Sequence, residues 1–148
     1  LKAALQLDPA SALARSSLIC LYSEWGRQAE AISESSALFF QEGQPETADE
    51  IRSIFRKSGF EVAKRFGQKK QLAYLTQLRE QRYVSAFSFA TIHAQLGDKE
   101  EAIQWLQKSY AARDVELPSL PSRSDHAFAS IKDDPRVITI MQKVRPPQ

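Results

Sequence analysis

The stretch "LGDKEEAIQWLQKSY", residues 96–110, decides how this chain folds. A glycine–aspartate turn opens it, two acids follow, and Ala102, Trp105 and Leu106 then fall at helical spacing. Acids in a first helical turn sit against the positive end of the helix dipole. Earlier, "EWGRQAEAISESSAL" (residues 24–38) has the same rhythm. Ala31 follows Gly26 by five positions and Ala102 follows Gly97 by five, while Ala63 follows Gly59 by four. The three glycines are 33 and 38 residues apart, and Pro9 precedes Gly26 by 17, half a period. A period of about 34 residues marks stacked helix pairs, because a single pair cannot bury its own apolar face.

Working outward, the chain punctuates itself at such turns. "LKAALQL" (1–7) reads as the end of a helix that Asp8-Pro9 stops. Ser11 is expected to cap a helix through Leu13, Leu18, Leu21 and Tyr22 that ends near Gly26. A second helix runs through Ala29, Ile32 and Leu38 to Phe39 or Phe40, and "QEGQP" (41–45) is a loop. Glu46 or Thr47 opens a third, with Ile51, Ile54 and Phe55 at i, i+3 and i+4. After "KSG" a long basic helix carries Phe60, Ala63, Phe66, Leu72, Leu75 and Leu78, and Gly67 inside it predicts a kink or break near 67–70. Two more helices are expected, from Ser85 to Leu96 and on to Arg113. Pro118 and Pro121 are expected to break regular structure, and Asp134-Pro135 opens a last helix with Val137, Ile138, Met141 and Val144 on one stripe. The fold class is therefore all-α: an antiparallel helix-pair solenoid of about three pairs.

At this point the chain resembles the tetratricopeptide repeat family. Ala31 and Ala102 occupy the small-residue position where paired helices cross, and Leu18 and Phe89 the large apolar position of the first helix. Ala90 matches the small residue after it, whereas Ile19 departs from the pattern; Tyr22 matches the aromatic position, which His93 fills in the last unit. Ala4 and Pro9 match the end of a preceding repeat. The resemblance divides a single 148-residue domain into a repeat end at 1–9, repeats at 12–40 and 84–113, an irregular repeat at 46–82, and a cap at 114–148. A narrower resemblance, to the C-terminal repeat segments of some bacterial signalling proteins, rests on Tyr83-Val84-Ser85 and Asp134-Pro135-Arg136. It implies winged-helix, kinase or cyclase domains upstream, and a start at Leu1 in mid-pattern fits a piece of a longer protein.

Family likeness implies binding in a concave surface lined by the first helices of the pairs. By register these positions are Leu13, Ser16, Cys20 and Ser23, then Asp49, Arg52, Ser53 and Arg56, then Phe87, Thr91, Ala94 and Gln95. The family's clamp for a terminal carboxylate uses lysine and asparagine; Ser16 and Cys20 do not match it, so no clamp is expected. The expected partner is a protein or peptide, or a neighbouring domain of the same polypeptide.

Composition permits little else. No run nears the roughly 18 apolar residues of a membrane helix, and a cytoplasmic setting is expected. One cysteine, Cys20, excludes an internal disulfide framework and a cysteine-based zinc cluster. Net charge is +2, unevenly spread: −5 over residues 1–50, +7 over 51–83 and zero over 84–148. The basic middle, with Arg52, Arg56, Lys57, Lys64, Arg65, Lys69 and Lys70, offers an alternative reading as a nucleic-acid or acidic-partner face across 52–82. Ser124-Asp125-His126 holds the residue types of a hydrolase triad, but adjacent residues do not converge on one substrate atom. No phosphate-cradling glycine loop or dinucleotide fingerprint occurs. The expectation is a non-catalytic scaffold without metal or cofactor.

Overall fold

The computed structural model describes residues 12–144, with side chains from Ala14 onward. Among the described residues the chain is all-helical, and no helix is long and apolar enough to cross a membrane. The helices are α1 (Ala12–Glu24), α2 (Gln28–Gln41), α3 (Pro45–Ser58), α4 (Phe60–Leu78), α5 (Ala86–Leu96), α6 (Lys99–Ala112), α7 (Leu120–Arg123) and α8 (Pro135–Val144), with a 3-10 turn over Leu117–Ser119. Two compact units result, one ending at Lys70 and the other beginning at Gln71, so the division falls inside α4. The repeat end expected at 1–9 and the cap expected at Ser11 lie outside the described residues.

In the first unit α1 packs on α2 and α2 on α3. Ala14, Leu18 and Tyr22 of α1 are buried at spacings of four, one helical face. Leu18 and Tyr22 meet Ala31, Ile32 and Phe39 of α2, Ala48 and Ile51 of α3, and Phe60 and Ala63 of α4 in one apolar cluster. An ion pair of 2.7 Å between Arg15 and Glu34 ties α1 to α2. Of the kink or break expected near 67–70, the break does not occur: α4 runs unbroken through Gly67. The glycine serves packing instead: a Cβ there would lie 2.8 Å from Ile51 Cδ1. Glycine's helix penalty of about 1 kcal/mol against alanine is thus exchanged for close approach of α4 to α3.

In the second unit α5 and α6 pair, and the segment after α6 folds over them. Ser85 caps α5 by accepting from the Ser88 amide, and Gly97 ends it in the left-handed conformation (φ 86°). Phe87, Ala90, Ala94, Ala102 and Leu106 form the floor of a core that Leu120, Phe128, Ile131 and Val137 close. Pro118 and Pro121 do not abolish regular structure. Each stands at the start of a short helical turn, where a missing N–H costs nothing. Asp98, in the turn before α6, makes no side-chain cap bond; its carboxylate lies 3.1 Å from His93 Nδ1. Asp134 does cap α8, accepting from the Arg136 amide at 2.9 Å.

Two polar ties hold this unit at its edges. The buried Asp114 carboxylate accepts from the Tyr83 hydroxyl and from the Phe87 amide, so it anchors the start of α5. That hydrogen bond to a carboxylate raises the Tyr83 pKa above 10.0. Arg136 grips Glu100 with both terminal nitrogens, at 3.0 and 2.7 Å, and also bonds Asp134. Its hydrogen bonds lower the pKa of Glu100 and of Asp134.

Candidate functional site

The expected groove residues separate by unit. Leu13 lies in α1, its side chain outside the described residues. Ser16 is exposed; Cys20 and Ser23 are half-buried. The Ser23 hydroxyl donates to the Ile19 carbonyl at 2.7 Å, and the Cys20 thiol lies 3.6 Å from a Glu24 oxygen. On α3, Asp49, Arg52 and Arg56 are exposed and Ser53 is half-buried.

Asp49 and Arg52 lie beside a surface depression. With Arg15, Ser36, Ala37, Phe40, Gln41 and Ala48 they wall an open cleft of ≈ 630 Å³ contributed by α1, α2 and α3. Local bonding positions the cationic side. Arg52 Nε donates to Ser36 Oγ at 2.8 Å, and that hydroxyl donates to the Ala48 carbonyl at 2.9 Å. Ser36 is itself buried, so the chain of bonds fixes the base of the Arg52 guanidinium between α2 and α3. Phe40 is 70% exposed while its neighbour Phe39 is 2% exposed. Adjacent helix residues point about 100° apart, so one of two consecutive aromatics near the end of a core-facing helix is left outside. Ser16, Cys20, Ser23, Ser53 and Arg56 do not line the cleft.

On α5 the expected groove is replaced by core. Phe87 is buried with its ring 5.3 Å from that of Phe128. Ala94 is buried, and its carbonyl accepts from the Ser130 hydroxyl at 3.1 Å. The half-buried Thr91 donates to the Phe87 carbonyl at 2.9 Å, and Gln95 is exposed. The segment after α6 covers the face that register assigned to a partner.

The basic residues stay in water. Lys57, Arg65, Lys69 and Lys70 are exposed and Lys64 is half-buried. Lys64 lies over the Phe60 ring at 6.0 Å and Lys70 over Phe66 at 5.5 Å. Around the triad-like trio, the Ser124 hydroxyl donates to the Pro121 carbonyl at 2.9 Å and Asp125 pairs with Lys132 at 2.7 Å, which makes them loop ties. Buried His93 faces Asp98 and Glu101 at 3.1 and 3.4 Å. No group of three His, Cys, Asp or Glu side chains suited to a metal ion occurs among the described residues.

Sequence reasoning missed Ser36, Ala37 and Phe40 because it looked for the site on first helices only, and missed Arg15 because the register it used on α1 ran through Leu13, Ser16, Cys20 and Ser23. The signal was present in Phe39-Phe40, two large aromatics that one helix face does not bury together. Set against models of known families, against curated proteins and against solved structures, the chain matches none.

Proposed function

We propose that the chain is a non-catalytic helical-repeat scaffold of the tetratricopeptide type that holds a short protein segment in the open cleft of its first unit. Three corners support the repeat. Gly26, Gly59 and Gly97 each join two helices with positive φ, and the alanines after them, Ala31, Ala63 and Ala102, are buried at 1%, 0% and 0% exposure.

The observation that carries the binding half is Phe40, a largely exposed aromatic sharing a cleft with two arginines and one aspartate. Aromatic side chains, phenylalanine included, and arginines are enriched at protein interfaces. A peptide placing an apolar side chain on Phe40 and a carboxylate near Arg52 satisfies both.

Panning a random peptide library on the full chain tests this. Selected peptides are expected to combine an apolar residue with an acid, and to lose binding to Phe40→Ala and Arg52→Glu variants that keep their helical circular dichroism. Undiminished binding to both variants removes the assignment.

The basic middle supports a second reading, nucleic acid or an acidic partner across 52–82. Arg56, Lys57, Arg65 and Lys69 make no ion pair among the described residues. That reading requires retention on DNA or RNA that falls steeply with salt.

A further inference from the structure

The second unit carries a cleft of its own, unused by the reading above. It is open, encloses ≈ 520 Å³, and is walled by the turn after α4 (Arg79, Arg82, Tyr83), by the start of α5 (Val84, Ala86) and by α6 (Trp105, Lys108, Ala112). Three cations and a single acid, Glu80, line it. Among the described residues none of Arg79, Arg82 and Lys108 has a carboxylate within ion-pair distance.

Two of the cations are held by rings instead. The Arg79 guanidinium carbon lies 5.1 Å from the Trp105 ring centre and 5.9 Å from that of Phe89. Lys108 Nζ lies 4.3 Å from the Trp105 ring centre. Trp105 in turn stacks on Phe89, with ring centres 4.5 Å apart and planes 18° from parallel. With Phe89 stacked against it and Lys108 and Arg79 near its ring centre, Trp105 orders both cations. Cation–ring contacts of this kind attract and restrain long side chains, so less freedom remains to be lost when an anion arrives.

We propose that this cleft binds an organic phosphate monoester. Its dianionic head sits among Arg79, Arg82 and Lys108, and its apolar body lies against Val84, Ala86 and Trp105. A phosphate monoester carries about −1.5 to −2 charges at pH 7, which balances the net charge of the lining. Guanidinium groups offer forked N–H donors that suit phosphate oxygens, and the cleft's volume is that of a small-molecule site. The monoester is either a free small molecule or a phosphorylated side chain of another protein. Because all lining residues belong to the second unit, the outcome is independent of the Phe40 cleft.

Phenyl phosphate titrated into the full chain tests the proposal, in a Trp25→Phe background that leaves Trp105 as the sole tryptophan reporter. The expected result is a saturable change in tryptophan fluorescence with a Kd of about 1 mM or tighter, weakened by added salt. Arg79→Gln and Lys108→Gln are each expected to weaken binding about tenfold. Arg82→Gln, which disturbs no ring contact, is expected to weaken binding with unchanged circular dichroism. A phosphotyrosine peptide binding more tightly than phenyl phosphate assigns a protein-borne source; the reverse order assigns a free ester. No saturable change, an equal response from sulfate, or undiminished binding by a folded Arg79→Gln/Arg82→Gln variant overturns the site.

Discussion

Helices α3 and α5 each lead through a glycine corner into another helix, yet they meet water differently. α3 buries two of its 14 residues, Ala48 and Ile51, whereas α5 buries eight of its 11. Within α5 even the polar His93 is buried. The cause is what comes later in the chain: Leu120, Phe128 and Ile131 close over α5, while α3 keeps Asp49, Arg52 and Arg56 in solvent. Local turns and apolar spacing determine where helices form. Which face of a helix stays available is determined by segments far away in the chain.

The contrast breaks most readily at its sealed end. Phe128→Ala is expected to cost about 3–5 kcal/mol in urea unfolding, since the ring is fully buried. Phe40→Ala, the same change on the open side, is expected to alter stability by less than about 0.5 kcal/mol. Equal costs would erase the distinction between the two helices.

The next effect lies at the anchor of α5. Asp114→Ala leaves the Phe87 amide and the Tyr83 hydroxyl without their acceptor, a loss expected near 1–3 kcal/mol. Its pH signature has a definite sign. Tyr83 has a folded pKa raised above 10.0, so its contribution is complete below tyrosine's ordinary value and is lost as pH rises through the folded value. Wild type and Tyr83→Phe should therefore differ in thermal stability at pH 7 and converge at alkaline pH.

A smaller loss than that at Asp114 is expected where α4 meets α3. Gly67→Ala gains helix propensity but pushes a methyl group onto Ile51 Cδ1, so a net loss of about 1 kcal/mol is expected. Ile51→Val removes that carbon. The double variant should be less damaged than the two single losses added together, and strict additivity would disprove the contact.

The helices and their corners were legible because glycine, proline and apolar spacing act locally. The positions Gly26, Gly59 and Gly97 all carry the positive φ that their placement required. Asp134 caps α8 as its position before Pro135 foretold. What escaped was non-local. In α5 nearly every position is apolar or small, so periodicity does not distinguish the face that meets α6 from the face that meets Phe128. Gly67 looked like a weak point because its cost is local, whereas its reason, Ile51, sits in another helix. The clefts were hidden for the same cause, since each draws on residues from three separate segments.

The corner at Gly59 has a consequence for tolerance to change. A single residue joins α3 to α4, with φ 90° and ψ 179°, a region open essentially to glycine alone. Gly97, at φ 86° and ψ 9°, lies instead in the left-handed region that asparagine also visits. The two glycines look interchangeable in the sequence but differ in what may replace them. One inserted residue at the Gly59 corner would also turn α4 by about 100°, carrying Ala63 and Gly67 away from Ile51. Variation and insertions among relatives should therefore concentrate at the Gly97 corner and leave the Gly59 corner at its present length and identity.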